Sequence, residues 1–159
     1  GFWDKKLTER RQRFGLTVVH AQNYKTMFNQ SKPVSVLVLS DQAPADARKS
    51  YWMEFLHQQT PILFGVEQMA NEFDLNVVYF QLKKVKRGYY EIEFKTLTTE
   101  ARNLSYGQLT EQHVQLLEQS ILEEPCHWLW SHKRWKREIP SDLKDLKSIQ
   151  RSKFEEKFR

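Results

Sequence analysis

The chain has 159 residues, 40% hydrophobic and 28% charged, which suits one domain with a buried core and excludes a disordered segment. Lys and Arg number 25 against 20 Asp and Glu, a net charge of +5 that fits an acidic partner without choosing among nucleic acid, anionic lipid and acidic protein. One cysteine, Cys126, excludes an internal disulfide and a cysteine-rich zinc site, and neither a run of roughly 18 to 20 apolar residues nor a signal-peptide pattern occurs, so a soluble or peripheral chain in a reducing compartment is expected.

In chain order, "GFWDKKLTERRQRFG" puts Phe2, Trp3, Leu7 and Phe14 at helical spacing and ends at Gly15, predicting an amphipathic helix over residues 2 to 13. "LTVVHA" reads as a short strand, "NYKTMFNQ" as a helix of one to two turns, and Lys32-Pro33 as a breaker. The clearest strand is "VSVLVLS", residues 34 to 40. Its apolar residues hardly alternate, the pattern of a central strand covered on both faces in a mixed or parallel sheet. Polar residues 41 to 59 read as a loop, with an apolar patch at Tyr51, Trp52, Phe55 and Leu56. Thr60 then reads as a helix cap with Pro61 in the first turn, placing Ile62, Val66, Met69, Ala70 and Phe73 on one face.

"LNVVYFQLKKV" and "GYYEIEFKTL" form a hairpin through a basic turn ending at Gly88, the second strand alternating at Tyr90, Ile92 and Phe94. A further amphipathic helix follows in "SYGQLTEQHVQLLEQSILEEP", with Leu109, Val114, Leu117 and Ile121 toward the core and Pro125 as its stop. From Ser141, a potential cap, the charged tail reads as a weakly anchored terminal helix. The expected fold is α/β, a mixed and mostly buried sheet flanked by helices.

Asp41, with Gln42 beside it, lies just past the carboxyl end of the expected central strand, where open α/β sheets place ligand-handling residues; equally, a strand-terminal Asp can cap the next turn. His113 and Glu118 have four residues between them, the spacing of the catalytic dyad of glycerolipid-type acyltransferases. On a helix five residues advance about 500°, so these side chains diverge by about 140° and share no proton. The remaining histidines lack metal-ligand spacing, and there is neither a phosphate loop nor a Gly-x-Ser-x-Gly elbow.

The stretch "PCHWLWSHKRWKREIP" interleaves Trp128, Trp130 and Trp135 with His and basic residues. It can stack on the bases of a single strand, sit at a lipid headgroup interface, or pack its tryptophans and leave its cations in solvent. A non-enzymatic basic module for nucleic acid or anionic lipid is therefore a second functional reading.

Three motifs in order, "DQAP" after an apolar strand, "TPILFGVEQMANEFDLNVVYF" and "HWLWSHKRWK", make the chain resemble the C-terminal portion of the bacterial lipid A biosynthesis (lauroyl or myristoyl) acyltransferase family. The likeness runs from about Trp3 to Pro140; its most specific part is Pro125, Trp128, Leu129, Trp130, His132, Arg134, Trp135 and Lys136, and "RRQRFG" matches an arginine-bearing helix end. The resemblance implies a lysophospholipid-acyltransferase-like α/β domain over residues 1–140 with a charged helix or tail over 141–159. It implies transfer of a fatty acyl chain from acyl carrier protein to a hydroxyl of a lipid A precursor at the cytoplasmic face of the inner membrane, with no cofactor, metal or nucleic acid.

The family's catalytic His, its Tyr-Arg motif and its usual membrane helix lie upstream of the matched region. The expectation is therefore a soluble, truncated piece of a peripheral inner-membrane enzyme, with no catalytic residue of its own and no activity alone. Asp41 and Gln42 would support the site and Arg11 and Arg13 would bind substrate phosphate or carrier-linked groups. Trp130, His132, Arg134, Trp135 and Lys136 would be signature residues, with His132, Arg134 and Lys136 completing the fold or bordering the lipid-facing surface.

Overall fold

The computed structural model describes residues 2–20, 23–29 and 32–159. Contacts divide the chain into two units, Gly1–Leu37 and Val38–Arg159.

In the first unit α1 covers Phe2–Gln12 and stops where Gly15, at a φ of 86°, returns its N–H to the carbonyl of Gln12. Its apolar residues Phe2, Trp3 and Leu7 are exposed, and Phe2 meets the Trp3 ring edge and the Lys6 ammonium. The spacing thus gives the helix correctly without giving it a buried face. Residues 16–20 of the expected "LTVVHA" strand are not in a strand, and Ala21 lies outside the described residues. A single turn, α2 (Lys25–Phe28), forms within "NYKTMFNQ", whose last residue is also outside them.

The second unit holds β1 (Tyr51–Phe55), β2 (Gln58–Ile62), α3 (Gly65–Phe73), β3 (Val77–Lys86), β4 (Tyr89–Thr98), α4 (Gln108–Glu123) and α5 (Leu143–Phe158). Among the described residues the molecule is mixed α and β, with five α-helices and two separate antiparallel hairpins, β1–β2 and β3–β4. The expected mixed, mostly buried sheet is corrected on both counts. Val34–Ser40 forms no strand, and Leu37 and Leu39 are exposed. β propensity makes a run extended, but a strand also needs a neighbour to take its N–H and C=O groups, and each hairpin here pairs only within itself.

The expected loop over 41–59 and the helix start at Thr60 are corrected by β1 and β2. Their turn uses Leu56 and His57 with φ of 48° and 62°, the left-handed pair of a tight hairpin, without the Gly or Asn that announces one. A tertiary bond holds it instead: the Leu56 N–H donates to Glu118 Oε1 of α4 at 2.7 Å. Pro61 pairs opposite Trp52, tolerated because a two-stranded ribbon leaves an edge on which its missing donor goes unneeded. Helix α3 therefore begins at Gly65.

Phe55 and Ile62 pack with Val114 and Ile121 of α4 into one cluster, bordered by Leu117, Trp128 and Trp135. Ala70, Ala101 and Leu109 form a second. The core face read for α4 is therefore the one that is buried. Between α3 and α4, buried Glu67 accepts from the backbone N–H of Gly107 at 2.6 Å and from the N–H and hydroxyl of Thr110 at 2.9 and 2.7 Å. Helix α5 is better anchored than its few apolar residues suggest, since buried Phe154 packs edge-on or tilted against the rings of Phe64, Tyr106 and Phe158, and Asp142 accepts both guanidinium arms of Arg48. Ser141 does not cap it; Asp142 occupies the cap position.

Candidate functional site

The residues singled out at "DQAP" and "HWLWSHKRWK" are far apart in sequence and meet in space. Three side chains of the second stretch, and Arg137 just after it, each reach one group of the first stretch or of β2. His132 Nε2 accepts the N–H of Ala43 at 2.9 Å, which leaves the ring proton on Nδ1. Arg137 Nε donates to the carbonyl of Pro44 at 3.1 Å. Arg134 Nη2 donates to the carbonyl of Pro61 at 3.0 Å, and the Trp135 indole donates to the Thr60 hydroxyl at 2.9 Å. The segment is thus a strap that ties the loop after Asp41 to the second strand of the first hairpin. Trp128 and Trp135 pack their rings on Phe55, each with centroids 6.3 Å apart. Two of the three tryptophans of a possible base-stacking platform are therefore committed to the core, and Trp130 turns its indole N–H back to the Pro125 carbonyl.

Arg134 is 2% exposed, its guanidinium lying over the Phe55 ring, and its Nε and Nη1 have no hydrogen-bond partner among the described residues. Burial lowers its pKa to about 10, and the negative charge of Asp41 opposes that fall, so the group stays cationic at neutral pH. On another side, His113 Nε2 lies 3.2 Å from the hydroxyl of Ser40, its ring against Tyr79. Burial pushes the imidazole down as well, and again Asp41 opposes it. Half-buried Asp41 is therefore a carboxylate acting on a buried guanidinium and a buried imidazole, with its following turn clamped by His132 and Arg137. The backbone that follows Asp41 is thus held in a fixed place.

His113 does not meet Glu118: the first bonds Ser40, the second holds the β1–β2 turn. Their divergence on α4 follows from helix geometry, as the spacing indicates. Gln42 and Lys136 are exposed, and Arg11 and Arg13 lie in the other unit, both exposed. The contact of His113 with Ser40 had no sequence signal, because the one spacing that marks His113 points to Glu118 and Ser40 belongs to no spaced motif. The acceptors and donor at Pro44, Pro61 and Ala43 are backbone groups, which no residue type reveals.

A polar cleft of about 160 Å³ lies between α4 and β3–β4, lined by Tyr79, Gln81, Lys83, Glu93 and Ser120 among others. Among the described residues no group of three or more His, Cys, Asp or Glu gathers to hold a metal ion, and no helix is long and apolar enough to cross a membrane. Residues 2–137 match the family described as bacterial lipid A biosynthesis acyltransferase. No curated protein and no solved structure matches.

Proposed function

This chain belongs to the bacterial lipid A biosynthesis acyltransferase family, and from that premise we propose that it is part of an enzyme that moves a fatty acyl chain from acyl carrier protein to a hydroxyl of a lipid A precursor. In that reaction the acceptor oxygen attacks the thioester carbonyl, the C–O bond forms, the C–S bond breaks, and the hydroxyl proton passes through a general base to the departing thiolate. The acidic carrier and the phosphorylated acceptor both suit a chain of net charge +5, working at the cytoplasmic face of the inner membrane.

The observation that carries the reading is the strap's hold on the turn that follows Asp41, His132 bonding Ala43 and Arg137 bonding Pro44. We assign Asp41, with Gln42 beside it, to supporting the reacting groups, with His132 and Arg137 fixing the turn and Arg134 balancing the carboxylate. Arg11 and Arg13 are assigned to phosphate or carrier-linked groups of the substrates. The domain is assigned to a lysophospholipid-acyltransferase-like α/β architecture over residues 1–140. In this sequence the histidine–acid spacing occurs only at His113 and Glu118, whose side chains serve separate bonds. The 159 residues are therefore assigned no general base, and no transfer by themselves.

The test is a chimera in which residues 2–140 replace the matching region of an active family member, with lipid A acylation read by mass spectrometry. Transfer is expected, and Asp41→Ala is expected to abolish it while leaving the chimera folded. An inactive but folded chimera would sink the reading. Transfer by the purified 159-residue chain would keep the acyltransferase reading and overturn only the assignment of inactivity.

A further inference from the structure

The β3–β4 hairpin is inverted. Its inner face, carrying Tyr79, Gln81, Lys83, Glu93 and Lys95, borders the polar cleft against α4. Its outer face pairs Phe80 with Phe94 and Leu82 with Ile92, all exposed, with Phe94 at 70%. Toward the turn the same face continues as Lys84 opposite Tyr90, while a register shift between Lys84 and Lys86 puts Lys86 and its partner Tyr89 on the inner side. Period-2 alternation puts both carboxylates of the hairpin, Glu91 and Glu93, on the inner face with Lys83. The outer face thus has an apolar body, Tyr90 next to it, Lys84 toward the turn with exposed Arg87 beyond it, and no anion.

We propose that this outer face docks on an anionic lipid bilayer. The apolar body enters the headgroup and acyl boundary, Tyr90 sits at headgroup level where amphipathic rings concentrate, and Lys84 together with Arg87 of the turn meets lipid phosphates. The sorting of charge selects this occupant. A nucleic acid answers the cations and leaves Phe80, Leu82, Ile92 and Phe94 in water, whereas a second copy of the same face brings no anion to Lys84 and Arg87. This surface is separate from the Asp41 cluster and does not rest on the acyl-transfer reading.

The test is co-sedimentation of the whole chain with vesicles of phosphatidylglycerol and phosphatidylcholine, against vesicles of phosphatidylcholine alone. Binding is expected to the anionic vesicles, weakening with salt, and about ten-fold or more weaker without phosphatidylglycerol. Phe80→Ser with Ile92→Ser, and separately Lys84→Glu with Arg87→Glu, should each lower it by about ten-fold or more, with thermal unfolding by circular dichroism unchanged. A polarity-sensitive dye on Tyr90→Cys, in a Cys126→Ser background, should shift to the blue on binding and so reports insertion with the apolar body intact. No binding to anionic vesicles, binding that survives both double variants, or a dye that stays in water would overturn the proposal. So would a dimer dissolved by Phe80→Ser with Ile92→Ser in the absence of vesicle binding, which assigns the face to a second copy. Single-stranded DNA binding that depends on Lys84 and Arg87, with no vesicle binding, would also overturn it.

Discussion

The two hairpins have the same topology and opposite surroundings. β1–β2 buries Trp52, Phe55, Thr60, Pro61 and Ile62, with Phe55 and Ile62 packed on α4 and Thr60 bonded by the strap, while β3–β4 turns its polar face to α4 and its apolar face out. The difference lies in tertiary bonds rather than local propensity. Glu118, Arg134 and Trp135 each reach into β1–β2 from other elements, whereas the only side-chain hydrogen bond described for β3–β4 that joins its two strands is the exposed Lys83–Glu93 pair. Alternation therefore tells which residues of a hairpin share a face, and a neighbour decides whether that face is covered.

The largest expected effect tests this directly. Phe55→Ala removes the ring on which Trp128, Trp135 and Arg134 rest and should cost about 3–5 kcal/mol in chemical denaturation. Ile92→Ala, at an exposed position, should stay within about 0.5 kcal/mol. Equal losses would mean that β3–β4 is covered in solution and would remove the contrast.

Next comes the strap. Arg134→Met removes the donor to the Pro61 carbonyl and the cation facing Asp41, an expected loss of about 2–3 kcal/mol. His132→Ala should cost about 1 kcal/mol through the Ala43 N–H alone. If His132→Ala were the more damaging, the buried guanidinium would not be what ties the strap to the hairpin.

The glycines sharpen the comparison at a smaller scale. Gly107 and Gly88 have φ of 87° and 81°, so alanine strains the backbone at both. A Cβ at Gly107 also runs into the Tyr51 ring, whereas at Gly88 it meets open space. Gly107→Ala should therefore cost more than the ~1 kcal/mol expected of Gly88→Ala, read as the difference in denaturation midpoint.

Much of this organisation was legible in the sequence, and what was not has identifiable causes. The β3–β4 hairpin, α1 and the buried face of α4 follow from local periodicity, which needs no knowledge of the rest of the chain. β1–β2 escaped because its turn is held by Glu118, 62 residues away, and because Thr60-Pro61 has the composition of a helix start. "VSVLVLS" misled because a fully apolar run reports extended preference and burial together, and here only the first is realised. At the site, Asp41 stood out by its place after an apolar run and, with His132 and Arg134, through a family likeness, but the bonds of His132 and Arg134 run to backbone groups. The contact of His113 with Ser40, 73 residues away, had no signal, because the one spacing that marks His113 points to Glu118.

The finest test concerns Glu67, which the sequence did not single out and which stitches α3 to α4. Burial raises its pKa above the ordinary carboxylate value of 4.5, opposed by the bonds from Thr110 and Gly107. With the folded-state pKa above the unfolded one, the folded chain holds the proton more tightly. The stability this contributes is full below 4.5 and is lost as pH rises through the folded-state value. Glu67→Gln has no such titration. Its amide presents one accepting oxygen where three donors were served, an expected loss of about 1 kcal/mol at low pH. The variant should then gain on the wild type as pH rises above 4.5, measured as the difference between the two denaturation free energies at stepped pH. A constant difference would mean that the three donors offset the burial of the charge completely, and a difference growing in the opposite direction would mean that they outweigh it.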